Sequence, residues 1–434
     1  MKKYCSITLL ALAMAVASPL ASAQPPNSTS ALFSNNNPNV ICRPAKWTDI
    51  VVFYLGNYIA HAATTLSLPG QSPLAVVFSI AAALFFPVSG VFRGFRAIYT
   101  LAIFAETELQ TAARAGALCM VVKLDEGAFR DFDDGEKPIR LFSTRIHGRY
   151  ELPRGYALKL VPCDAKFEGD SVSPSNLWEK VTKIFRTESR AGTKISCSYS
   201  LVKAFVALGQ TLFAITTLYQ TKGDQLELFG FAAFGLTVAP YAFMSVINLF
   251  GNLVCPEYPA MYLVESEALR NLRTDFVSEG IGSGFWLDGV VGKLVADLDK
   301  SVRPLQEDET PASEAVGVWF TVREVLKALL PMCIAGAVSL AVVGGLSRFH
   351  TGSSSTYHQR VWTMTWLGFG IFAGGMGFGV EGVENRQFFN IRPRRLGGNL
   401  SDIMGGFLFA VPAIGGFVVV GQMILEFGVC VKLG

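Results

Sequence analysis

The stretch from Trp47 to Arg96 constrains this chain most, because it holds two apolar segments joined by a Pro-Gly turn and closed by Arg93 and Arg96. A helix needs about 20 apolar residues to cross a bilayer. Residues 74–92 meet that length without a charge, with Pro73 suited to a helix start and Pro87 to a kink. Residues 48–66 are borderline: Ile50 to Leu55 is apolar, but Asp49, Asn57, His61, Thr64 and Thr65 interrupt the run. Which of the two segments crosses decides the side of every later loop.

The rest of the chain has the same character. Only 16% of its 434 residues are charged, against about 25% in a soluble domain. The charges cluster between long uncharged windows, which is the pattern of membrane spans alternating with solvated loops. A net charge of +3 with no basic stripe excludes a nucleic-acid partner. Residues 1–23 read as a signal peptide: Lys2 and Lys3, an apolar run from Ile7 to Val16, and Ala21-Ser22-Ala23 as the cleavage site. Residues 24–47 then form a disordered tail on the lumenal or extracellular side. Its Asn27-Ser28-Thr29 is a glycosylation sequon.

Further spans are expected at about 200–219, 228–252, 328–347, 361–380 and 404–427. Between them lie two solvated regions, 93–198 and 253–326. In the first, Ile98 to Val122 reads as an amphipathic helix whose end, AGALCMVV, is apolar enough to lie against the membrane. IRLFSTRI and YALKLVP suggest a small β element, and Trp178 to Phe185 a surface helix. In the second, Tyr262 to Leu272 reads as an amphipathic helix. The expected organisation is therefore 1–23, 24–47, 48–92, 93–198, 199–252, 253–326 and 327–434. The fold is all-α transmembrane with six to seven membrane-spanning helices and no internal repeat of the inverted kind.

Cytosolic loops carry the excess of Lys and Arg near span ends. Here Arg93, Arg96, Arg190, Lys194, Arg270, Arg273, Arg323 and Lys327 fall in alternate loops from the tail, as do Arg386, Arg392, Arg394 and Arg395. Placing them in the cytosol requires that only one of the first two segments crosses. The polar residues of 48–66 make it the partial one, so the favoured count is six crossings with 48–66 partial, and the alternative is seven with lumenal loops. Cysteines divide these readings. In the first, Cys42 and Cys430 share the oxidising side while Cys119, Cys163, Cys197 and Cys255 stay reduced. In the second, the five loop cysteines are lumenal and the sequon at Asn399 becomes usable.

Tyr54, Asn57 and His61 lie on one helical face as a polar stripe at membrane depth. Such groups line a polar or ionic path or face a partner helix; an interfacial helix meeting water is the plainer reading. Arg386, Arg392, Arg394 and Arg395 form a juxtamembrane cluster suited to anionic lipid headgroups, or a topology determinant alone. Small residues at four-residue spacing, as at Ala337, Ala341 and Gly345, suit close helix packing. Pro240, Pro331 and Pro412 are candidate kinks or helix ends. Gly280 to Gly284 is no phosphate loop, and His350 and His358 lack partners for a metal. No catalytic motif is present, so no enzyme, cofactor or metal is expected.

The segments WTDIVVFYLGNYIAHAATT followed by LPG, AARAGALCMVV, YALKLVP and EYPAMYLVESEALRNL together resemble a family of uncharacterised multi-pass membrane proteins of filamentous fungi. The resemblance covers most of the chain after residue 24. It implies a membrane of the secretory pathway, with the plasma membrane as the expected station, and carries over no site residues. Two functions fit. One is a transport- or receptor-like protein, whose stripe at Asn57 and His61 faces an internal cavity. The other is a membrane-anchored scaffold, whose bundle is tightly packed and whose loops bind partners.

Overall fold

A computed structural model describes residues 40–123, 144–148, 152, 156–168, 195–278, 289–295, 311–384 and 400–432. The leader, Asn27, Arg386, Arg392, Arg394, Arg395, Asn399, the segment Gly280–Gly284 and the expected helix at 178–185 lie outside the described residues. In chain order come β1 (Val40–Arg43), α1, α2 (Pro73–Phe85), α3 (Pro87–Thr100), α4 (Glu108–Arg114), β2 (Leu118–Lys123) and β3 (Tyr156–Leu160). Helix α1 is continuous, Trp47–Tyr54 passing through a π-helical turn, Leu55–Ile59, into Ala60–Ala63. Then follow α5 (Leu201–Thr221), α6 (Asp224–Phe229), α7 (Ala239–Val254), β4 (Tyr262–Glu265), α8 (Glu267–Ser278) and β5 (Val290–Lys293). The chain closes with α9 (Pro311–Ser347), α10 (Tyr357–Glu384), α11 (Leu400–Phe427) and β6 (Val429–Lys432).

The described chain is mostly helical, and four of its helices are long and apolar enough to cross a membrane. A bent pair, α2 with α3, would be a fifth if counted as one span. The all-α expectation is corrected, because a four-stranded sheet and a two-stranded ribbon accompany the helices.

What gathers at each end of the bundle tells the two ends apart. At the clasp end, β1 pairs antiparallel with β6 and Cys42 is disulfide-bonded to Cys430. The turns after α5 and α9 meet there too: Phe231 N donates to His350 O at 2.9 Å, and Ser353 N to Glu227 O at 2.9 Å. Gly230 holds φ +58 with His350 O 2.1 Å from where a Cβ would sit, so only glycine fits.

At the cap end stands the sheet, in order β3-β2-β4-β5. β2 is its centre, antiparallel to β3 and parallel to β4. The two regions expected to be separate, 93–198 and 253–326, therefore build one sheet. The parallel partner β4 arrives only after the chain has run through α5 and α7. The expected helix over 98–122 is broken. Leu101 turns left-handed at φ 46, Thr107 Oγ1 accepts from Gln110 N to cap α4, and LCMVV becomes a strand buried on both faces. Its apolar character serves a sheet core rather than a membrane surface. One face packs on Ala112 and Ala113 of α4, the other on Leu269 and Leu272 of α8. YALKL forms β3, and Tyr262 to Leu272 is strand first and helix second.

Helix α7 is the hub. Buried residues make up 67% of its span window, against 22% for α5. Pro240 sits in its first turn, while Pro331 and Pro412 lie within α9 and α11. On α9 the expected small-residue face, Ala337, Ala341 and Gly345, is exposed; Ala335, Ser339, Val343 and Ser347 are the buried ones. Close helix approach happens elsewhere. A Cβ at Gly90 or Gly94 of α3 would meet Met244 Sδ at 2.3 Å or Ile247 Cγ2 at 2.6 Å of α7.

The first two apolar segments are arranged differently from the sequence expectation. Contacts along α1 run the whole depth of the bundle: Arg43–Asp49 near the clasp, Tyr54 on Phe417, His61 on Ser245, and Gly70 N to Tyr258 O beside the cap. The 8, 5 and 4 residues of its three parts span about 25 Å. Residues 74–92 are no single helix. α2 and α3 meet at 117°, since Phe86 precedes a proline that cannot extend the helix before it. Both arms root at the cap end: Gln71 Nε2 donates to Ser79 Oγ at 2.7 Å, and Arg93 Nη1 to Leu66 O at 3.3 Å. The pair is a helical hairpin that enters the bundle and turns back.

Candidate functional site

The sequence singled out Tyr54, Asn57 and His61 as a stripe on one face. The π-helical turn between Leu55 and Ile59 inserts extra rotation, and α1 is surrounded. The three side chains consequently meet three different helices. The Tyr54 hydroxyl donates to Phe417 O of α11. Asn57 Oδ1 accepts from Thr217 Oγ1 of α5 at 2.9 Å, and its Nδ2 donates to Phe53 O at 3.1 Å. His61 Nδ1 shares a proton with Ser245 Oγ of α7 at 2.6 Å. Between them Tyr58 fills the middle of the bundle, ringed by Phe53, Tyr54, Tyr241, Trp366 and Phe417, with its hydroxyl 2.6 Å from Thr237 Oγ1.

From His61 toward the cap the contacts become a polar seam. Thr64 Oγ1 donates to His61 O at 2.7 Å and accepts from Asn248 Nδ2 at 3.3 Å. Asn252 Nδ2 donates to Asn248 O at 2.8 Å and to Thr64 O at 3.4 Å. Ser245, Asn248 and Asn252 recur at helical spacing and so stand on one face of α7. All three are buried, as are His61, Thr64 and Thr65. Thr65 Oγ1 and Asn248 Oδ1 lie 3.1 Å from where Cβ atoms of Gly90 and Gly94 would be, so α3 closes the third side.

Seven buried side-chain polar atoms among the described residues have no partner, and four of them line this seam: His61 Nε2, Thr65 Oγ1, Asn248 Oδ1 and Asn252 Oδ1. An unpaired buried polar group costs about 1–3 kcal/mol. Such a concentration in one place marks room for water or a polar solute rather than packing alone.

Where the seam reaches the cap, Cys255 follows α7 directly. Burial pushes its thiol up to about 12, against the pull of the Arg96 guanidinium. Tyr258 and Tyr199 are raised by the same cause. Lys203 Nζ bridges Glu257 Oε1 at 2.5 Å and Ser67 Oγ at 3.1 Å, tying the start of α5 to the seam's mouth.

The two pockets described, one of about 360 Å³ at Tyr241 and Trp366 and one between α10 and α11, are lined by none of the three stripe residues. Among the described residues no cluster of His, Cys, Asp and Glu could hold a metal. Sequence reading missed Ser245, Asn248 and Asn252, although their spacing inside an apolar run was a visible signal. It also had no means of pairing Thr217 with Asn57. No protein-family model, curated protein or solved structure matches this chain.

Proposed function

We propose that this chain is an integral membrane protein of the secretory pathway, with the plasma membrane as its expected station. It crosses the bilayer six times, through α1, α5, α7, α9, α10 and α11. The clasp end is lumenal or extracellular and the cap cytosolic. The Cys42–Cys430 disulfide supports this sidedness, because disulfides persist in oxidising compartments. Cys119, Cys163, Cys197 and Cys255, all at the cap end, are unbridged. The count is the one expected from charge, but α1 takes the crossing and the α2–α3 hairpin is the partial element.

Within that frame we read the α1–α7 seam as a polar path, the working part of a transport- or receptor-like protein for a small polar or ionic solute. One observation carries this: the four unpartnered buried polar atoms lined up beside a hairpin that enters from the cap side. Irregular backbone is tolerated at membrane depth where it is buried in protein or lines a polar cavity. The test is Asn252→Cys in the full chain, treated with a small cationic methanethiosulfonate from the cytosolic side. A hydrated seam gives modification, and loss of modification on adding Ser245→Leu. An Asn252→Cys thiol that reacts only after unfolding overturns the path. The second reading then stands, a scaffold acting through its cap, favoured by how tightly Tyr58 and its neighbours fill the bundle.

A further inference from the structure

Between α10 and α11, beside the clasp, lies a cleft of about 1060 Å³ counting its open side. Its wall is apolar in depth and polar at the mouth. Trp362, Gly415 and Val418 line the deeper part. The Trp362 ring lies so close on Gly415 that a Cβ there would be 2.2 Å from Cε3. Val418 is 56% exposed, so the cleft faces sideways out of the bundle. Gln359, Gln422 and Glu426 line the mouth.

Glu426 is oddly placed for a carboxylate. It stands in the last turn of α11, where the exposed carbonyls make the helix end negative and disfavour an anion. Its described partner is neutral: Gln359 Nε2 donates to Oε2 at 2.9 Å. The ion pairs among the described residues are Arg43–Asp49, Lys203–Glu257 and Lys293–Glu168, and none includes it. Arg360, next to Gln359, turns to Ser355 instead, at 2.5 Å from its carbonyl. Gln359 Oε1 is taken by Thr356 N at 2.8 Å. The mouth therefore offers a carboxylate and the Gln422 amide to a donor from outside.

An apolar slot in the depth of a span, topped by an uncompensated carboxylate at its end, is complementary to a lipid with a cationic donor headgroup. We propose that the cleft is a lateral lipid site selecting a primary ammonium headgroup. A primary ammonium brings three N–H donors and a full charge to Glu426. A quaternary ammonium of equal charge brings no donor. The proposal rests on the membrane reading above but not on the seam being a path.

The test uses the purified full chain in detergent, titrated with an ethanolamine-headgroup phospholipid and with its choline counterpart of the same acyl chains, followed by native mass spectrometry. The expected result is about tenfold tighter binding of the ethanolamine lipid. In Glu426→Gln the two lipids should bind equally, with choline-lipid binding unchanged. Equal binding in the wild-type chain overturns the proposal, and so does a preference that survives Glu426→Gln. Failure of the membrane reading looks different: neither lipid binds, and the chain stays dispersed once detergent is removed.

Discussion

Helix α1 and the α2–α3 hairpin make an instructive pair. The less apolar segment runs through the bundle from clasp to cap; the more apolar one turns back at Phe86. Hydropathy reports how a segment fares against lipid, and α1 does not meet lipid along its second half. Gly56, Asn57, Tyr58, His61 and Ala62 are buried among α5, α7 and α11. Its polar atoms find hydrogen bonds there, so crossing costs them little. On α2 only Ser79 and Ala83 are buried, while Leu74, Val77 and Phe78 are exposed. A run of apolar residues is what a helix needs when most of its surface faces outward, however short its path.

Four measurements break or sharpen that comparison. The largest effect belongs to the seam itself. Gly94→Leu would drive a side chain into Ile247, whose backbone carbon is 3.2 Å from the position of a Cβ. We expect a loss of about 3 kcal/mol or failure to fold, read by thermal unfolding in detergent. Gly345→Ala, with nothing within 4 Å, should be neutral or stabilising by up to about 1 kcal/mol.

Next is a swap of polarity. Asn57→Leu leaves the Thr217 hydroxyl without its buried acceptor and should destabilise by about 1–2 kcal/mol. If hydropathy alone governed α1, the same change would stabilise it.

How much of this was legible in the sequence follows from the same physics. The spans after residue 200, the strand YALKL, the shared side of Cys42 and Cys430, and the polar residues of the first segment could be read directly, because periodicity and charge are local signals. The partners of Asn57 and His61 could not, since Thr217 and Ser245 are distant in the chain and their pairing depends on which helices surround α1. LCMVV was read as membrane-facing because a strand buried on both faces and a lipid-facing segment have the same composition. The α2–α3 reversal needed knowledge that α7 takes the central place. On α9 the small residues at four-residue spacing marked the outward face, while the packed face carries Ala335, Ser339 and Val343.

The third effect concerns the cap. Burial holds the Cys119 thiol up to about 12, above an unfolded value near 8.5. A raised acid stays neutral in the folded state, so its share of stability is complete below about pH 8.5 and is lost as pH rises toward 12. Cap unfolding should shift to lower temperature above about pH 9, and Cys119→Val should flatten the slope; an unchanged slope would mean that the thiol is not desolvated. The smallest effect is at the exposed edge. Breaking the Arg43–Asp49 pair with Arg43→Gln should cost less than about 1 kcal/mol in the same thermal assay.

The central claim is that α1 crosses and the hairpin does not, which puts the cap and the clasp on opposite sides. Cys163, an exposed thiol of the cap, reads this out most directly. Sealed microsomes carrying the full chain would be treated from the cytosolic side with a membrane-impermeant maleimide, with Cys163→Ser as the control. The account predicts labelling of Cys163 without detergent; labelling that appears only after detergent opens the vesicles would contradict it.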